Sequence, residues 1–327
     1  MKFPILKDGR YGFINSLGIE VEPCIYDYAS KYNDGYASVR LGERFQIINE
    51  KNATLLDLEC GFLISPMQEI CVFTPTNQMT EGYINLAGNV IAEPRFYSAA
   101  DFSEGIGVAR QKIEGSKIQA FALDKDGRQV FGPLEMLASF SAGLAGFLDS
   151  RVRLFGFVNK QGATTIAPNF LDVGGFSDGL AKAQCKTTRL FGYINQLGEW
   201  EIAPKYEDCR VFSEGLAAVR EPSWPGLGFI DTSGTLKIAP RFEDVTNYAE
   251  GRAFVTNVSE NEANDDGSEC WGVIDTTGQE ITPFQFSGTD PLDFTFENGL
   301  ASVGFQANPD KRAYIDRRGY VIWEHED

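Results

Sequence analysis

Apolar and polar residues alternate along this chain in short runs, and no apolar stripe with helical spacing persists beyond a turn or two. Alternation at period two, interrupted by Gly, Pro, Asn and Asp, predicts strands joined by tight turns. The runs are also self-similar, with three phrases recurring in a fixed order. The first is Gly-aromatic-Ile-Asn/Asp-x-x-Gly, as in Gly12-Phe13-Ile14-Asn15, Gly82-Tyr83-Ile84-Asn85, Gly156-Phe157-Val158-Asn159, Gly192-Tyr193-Ile194-Asn195, Gly228-Phe229-Ile230-Asp231 and Gly272-Val273-Ile274-Asp275. Weaker copies at Gln46–Asn49, Phe121–Asp124 and Ala313–Asp316 bring the Asn/Asp series to 15, 49, 85, 124, 159, 195, 231, 275 and 316, nine copies in all. The second phrase is Ile-x-Pro followed by an aromatic, clearest at Ile202-Ala203-Pro204 with Tyr206 and Ile238-Ala239-Pro240 with Phe242. The third is Phe-Ser-acidic-Gly-Leu-Ala-x-Val, clearest at Phe212–Val219 and degenerate only around residues 60–75.

Each phrase has a local physical meaning. Asn or Asp opening a turn, with Gly three residues later, marks a type I turn closed by a left-handed residue. Asn52 stands in for that Gly in the second copy, and Asn is the next best residue there. The first two phrases therefore predict a hairpin, with proline ending its second strand because it has no N–H for the ladder. Leu-Ala-x-Val then predicts a third strand. The expected fold is all-β: a tandem array of about nine three-stranded antiparallel meanders in one continuous repeat domain over residues 1–327, a closed propeller and an open superhelix fitting the spacing equally. The recurring aromatics Tyr26, Phe96, Phe170, Tyr206 and Phe242 are expected in the core between copies, and the recurring acids Glu104, Asp178, Glu214 and Glu250 are expected to serve their turns.

The order and wording of these phrases resemble the WG repeat family of bacterial proteins, although Trp271-Gly272 is the single literal Trp-Gly pair. The resemblance spans nearly the whole chain. It implies a β-repeat interaction module and brings no catalytic residues with it.

Charge narrows the partners. With 29 Lys+Arg against 46 Asp+Glu, the net charge is −17, which disfavours nucleic acid phosphates and anionic lipid and favours a basic protein. The amino-terminal residues lack the apolar run of a signal peptide, and no stretch of apolar residues is long enough to cross a membrane. Six scattered cysteines without C-x-x-C spacing predict free thiols in a reducing compartment, so the expected location is cytoplasmic.

Candidate chemistry is sparse. Gly175-Phe176-Ser177-Asp178-Gly179 fits the G-x-S-x-G nucleophile elbow, but it is also one copy of the third phrase, and the single histidine, His325, lies at the carboxyl end where a solvated tail is expected. One histidine and unclustered cysteines predict no metal site and no cofactor. The residues expected to recognise a partner are those that depart from the repeat. They are the acidic insertion with Glu260, Glu262, Asp265, Asp266 and Glu269, the second insertion with Asp290 and Asp293, and Trp224 in the loop Glu221–Pro225, either as an exposed anchor or folded onto its hairpin. The functional expectation is a non-catalytic protein-binding module, in its narrowest form an immunity protein that neutralises a basic toxin. The alternatives are a scaffolding protein without a single tight partner and a carbohydrate-active enzyme using paired carboxylates.

Overall fold

The computed structural model describes residues 1–113, 117–257, 270–287 and 294–326. The described residues form strands and turns, and the paired strands are antiparallel. No helix among them is long and apolar enough to cross a membrane. Contacts gather into two compact units: Met1–Asn15 with Glu20–Gly175, and Phe176–Asp327 with the short turn Ser16–Ile19.

The pairing unit is offset from the sequence repeat. Each Leu-Ala strand pairs forward with the next Gly-aromatic strand, which pairs in turn with the Ile-x-Pro strand behind it. In the second unit Leu216–Arg220 pairs Leu227–Asp231, which pairs Leu236–Val245. In the first unit Tyr36–Leu41, Arg44–Asn49 and Thr54–Glu59 do the same. Short hairpins join the Leu-Ala strand to its partner, whereas the longer link after each Ile-x-Pro strand leads to the next group of strands.

The hairpin turns form as the local chemistry predicts. Asn195 Oδ1 accepts the N–H groups of Leu197 at 3.0 Å and Glu199 at 3.1 Å, and Asn159 and Asp231 serve their turns in the same way. Gly198 then takes φ of 80°, and Asn52, its stand-in in the second copy, takes φ of 60°. The third phrase makes a different turn, with two consecutive left-handed residues: Glu214 at 54° and Gly215 at 80°. That is the type I′ geometry which matches strand twist. Where the phrase has degenerated, Gln68 at 54° and Glu69 at 67° still make the turn.

Proline does not end the second hairpin strand. Pro204 lies inside Trp200–Tyr206 and Pro240 inside Leu236–Val245. The register explains this: Tyr193 pairs Ile202 and Phe191 pairs Tyr206, so the strand bulges around Ala203–Lys205 and the missing N–H is not asked to join the ladder. The bulge also accounts for the glycine of the first phrase. A Cβ on Gly192 would lie 2.5 Å from the Ile202 carbonyl oxygen and 2.8 Å from Pro204 N. Gly156 and Gly82 face the same obstacle at Ile166 and Ala92. In the second and ninth copies the glycine and this bulge are both absent: Gln46 pairs Asp57 and Ala313 pairs Glu324 directly, against strands without proline. The fourth copy exchanges the two sides. Phe121 occupies the glycine position, and Gly132 on the facing strand takes φ of 110° with its absent Cβ 2.9 Å from the Ala120 carbonyl oxygen.

Successive groups of strands pack through aromatic pairs. Tyr193 lies 4.6 Å from Phe212, Phe229 5.1 Å from Tyr248, Tyr83 5.0 Å from Phe102 and Phe13 5.3 Å from Tyr32, measured between ring centroids. Each pair carries one hydroxyl, and it always finds a backbone carbonyl: Tyr193 donates to Arg210, Tyr248 to Asp275, Tyr83 to Ala100 and Tyr32 to Asn49. Buried hydroxyls need such partners. Phe96, Phe170, Tyr206 and Phe242 are buried as the repeat pattern implies, and Tyr26 is half-buried. In the second unit the Ser16–Ile19 turn places Gly18 on the carbonyl of Ile322, just as Gly319 sits against Thr282.

Candidate functional site

The acids of the third phrase are tied into the scaffold. Gln68 Oε1 accepts the Gly105 N–H at 2.9 Å, and Glu104 accepts the Gly143 N–H at 3.0 Å. In the second unit Asp178 accepts from Gly215 at 2.8 Å, Glu214 from Glu250 and Gly251 at 2.6 and 2.7 Å, and Glu250 from Gly299 at 2.8 Å. Each side chain therefore caps the left-handed turn of the following copy, which explains why the position is acidic. The serines act alongside: Ser103 Oγ donates to the Phe140 carbonyl at 2.7 Å and Ser213 Oγ to Tyr248 at 2.6 Å.

One consequence concerns pH. Burial alone would raise the Glu104 carboxyl, but the Lys160 ammonium 3.0 Å away and the N–H groups of Gly143 and Ala142 hold it below its ordinary value of 4.5. A carboxyl lowered by folding contributes stability above its unfolded pKa and loses it as pH falls through the folded value. Stability should therefore drop on acidification below about 4.5, and Glu104→Gln should flatten part of that drop in urea titrations run across this range.

Other acids guard edges. The strands Thr54–Glu59, Val90–Phe96 and Gln129–Leu134 lie at the margins of their sheets, and Asp57, Glu59 and Glu93 are exposed along them. Charge and proline on a margin oppose pairing with a foreign strand.

The candidates drawn from the sequence fall out unevenly. Glu260, Glu262, Asp265, Asp266, Glu269, Asp290 and Asp293 lie outside the described residues. Trp224 is half-buried, its backbone N–H donating to the Glu221 carbonyl at 3.0 Å and its ring centroid 6.4 Å from that of Tyr206, so it is folded onto its neighbour. Ser177 ends the long strand Thr164–Ser177, and Asp178 and Gly179, both left-handed, lead into another strand, Leu180–Cys185. A strand–turn–strand setting is not a nucleophile elbow, which needs a helix after the turn. His325 is not on a loose tail: it lies half-buried in Val321–Glu326, paired with Arg312 and 6.2 Å from the Trp323 ring. Among the described residues no group of three or more His, Cys, Asp or Glu could hold a metal ion.

None of the six cysteines is in a disulfide. Burial pushes Cys60 up to about 11 and Cys71 up to about 12, whereas Cys185, at the mouth of a hairpin loop, is lowered by the backbone and side chain of Thr188 together with those of Thr187.

A cleft of about 630 Å³ opens beside the fourth copy. Its walls come from the start of Ile118–Leu123, the end of Gln129–Leu134 with Glu135, and the hairpin leading out of Leu144–Asp149. The sequence hinted at this place through the weak copy at Phe121–Asp124 and the longer spacing into it, without showing that a cleft results.

The sequence profile described as WG containing repeat matches residues 11–45, 82–112, 155–186, 191–221, 228–257 and 271–304, over half of the chain. The chain belongs to the WG repeat family. The six matched stretches begin at or beside the strong Gly-aromatic copies, and the three weaker copies start none of them. No curated protein matches this WG repeat chain. Among solved structures, apo AztD from Citrobacter koseri aligns over 87% of this chain and 92% of its own at 13% identity, with a TM-score of 0.45. Hsv2 from Kluyveromyces lactis aligns over 90% and 94% at 9% identity with a TM-score of 0.35, and virginiamycin B lyase from Staphylococcus aureus over 70% and 90% at 11% with 0.37. With TM-scores this low, none of these likenesses supports an inference about this chain.

Proposed function

We propose that this WG repeat protein is a non-catalytic protein-binding array of nine copies, that its recognition residues are those which depart from the repeat, and that its partner is basic. The observation that carries this reading is the use already made of the repeating side chains. Glu104, Asp178, Glu214 and Glu250 are bound to turns, Ser103 and Ser213 to carbonyls, and the paired aromatics are buried against each other. What remains for a partner are the residues that depart from the repeat, and the longest insertion in the sequence carries Glu260, Glu262, Asp265, Asp266 and Glu269 without a single Lys or Arg. A net charge of −17 speeds encounter with a basic protein and makes that encounter salt-dependent. Toxin neutralisation rests on the same charge, which does not separate a toxin from any other basic protein, so the broader reading is the one kept.

The test is affinity capture from the native cell at low and high salt. A single stoichiometric basic protein, retained at low salt and released at high salt, is the expected result. Capture of nothing at either salt would overturn the reading.

A further inference from the structure

We propose that the cleft beside the fourth copy binds a small amphipathic carboxylate, with its apolar tail inside and its carboxyl group at the mouth between Lys117 and Arg151. This site is independent of the protein-binding reading. Its volume of about 630 Å³ falls in the range of roughly 300–1,000 Å³ typical of small-molecule sites. The lining divides in two. Phe147 and Leu148 are buried and Leu134 is half-buried, and with the exposed Ile118 and Pro133 they supply the apolar side of the cleft. The mouth is charged, and its charges are unequally committed. Glu135 is engaged by Arg153, and Asp149 Oδ1 accepts the backbone N–H of Arg151 at 2.8 Å. Lys117 and the Arg151 guanidinium are exposed lining groups, and among the described residues neither is in an ion pair. With Glu135 paired to Arg153, the charges left at the mouth are Lys117, Arg151 and Asp149, two positive against one negative, and on a chain of charge −17 a locally positive mouth favours an anion. The apolar side of the cleft selects an anion with a hydrophobic tail over inorganic phosphate or sulfate.

The repeat also breaks at this place. Phe121 and Gly132 have exchanged the roles of the glycine and its facing strand, and Lys117, Glu135 and Arg151 belong to none of the three phrases. No turn of the scaffold therefore requires the cations.

The experiment is calorimetric titration of the full chain with octanoate, octanol and octylamine. Saturable one-site binding of octanoate, at least tenfold tighter than octanol and with octylamine weakest, is the predicted order. In the Lys117→Glu, Arg151→Glu double variant that order should reverse, with octylamine favoured, while the thermal midpoint stays unchanged. Leu134→Asp should abolish binding of all three. Equal affinity for octanoate and octanol in the native chain, absence of saturable binding, or tight octanoate binding that survives the double charge reversal would each overturn the proposal. The comparison in the native chain decides the matter even where a variant fails to fold.

Discussion

Gly192→Ala should lower folding stability by about 2–3 kcal/mol, one of the largest losses expected from adding a single methyl group to this protein. The backbone φ at Gly192 is not left-handed, so conformational preference is not the reason. The reason is the facing bulge, whose Ile202 oxygen, Pro204 nitrogen and Ala203 carbonyl carbon would lie 2.5, 2.8 and 2.9 Å from the new carbon. All three are backbone atoms and cannot rotate away. Gly272 provides the control, since its nearest neighbours, the Phe284 ring and the Thr282 oxygen, are 3.3 Å away. Chemical denaturation of the two variants should show a clearly larger loss for Gly192→Ala. Equal losses would mean that the glycine of the repeat is kept for some reason other than the bulge.

Tyr193→Ala should cost still more, about 3–5 kcal/mol, because the ring is fully buried and the cavity would lie between successive groups of strands. Tyr193→Phe isolates the hydroxyl. It removes the bond to the Arg210 carbonyl, 2.7 Å long, at a cost of about 1 kcal/mol. The molecule offers its own precedent: Phe229 and Phe13 occupy the same position, and there the partner ring, Tyr248 or Tyr32, supplies the hydroxyl. Tyr193→Phe combined with Phe212→Tyr should therefore recover part of the loss, as read by a urea series on the four proteins. A double variant weaker than the sum of its singles would show that the hydroxyl cannot be exchanged across the pair.

Features that depend on neighbouring residues in the chain were legible before the structure. The Asn/Asp turns, the left-handed glycines and the Asn52 substitution follow from short-range chemistry, and so does the all-β class. Features that depend on residues about a repeat apart were legible only as a pattern. The acid of the third phrase could be recognised as structural, but its acceptor, for instance Glu214 on Gly251, lies in the following copy. Proline was misplaced at the end of its strand because the bulge that tolerates it belongs to a pairing, and no single strand reveals it. The exchange of Phe121 and Gly132 appeared in the sequence merely as a weak copy. The candidate site was legible only as a set of loop residues that depart from a pattern, and departure carries no geometry. Trp224 shows this directly, having turned inward onto Tyr206.

We propose that departures from the repeat, and not the repeat itself, recognise a partner. This proposal is tested by parallel affinity capture with the native chain and with a variant in which Glu260, Glu262, Asp265, Asp266 and Glu269 are replaced by serine. The account predicts one basic, stoichiometric protein on the native chain and its loss from the variant, with both proteins unfolding at the same temperature. The same protein retained in equal amount by the variant would contradict it.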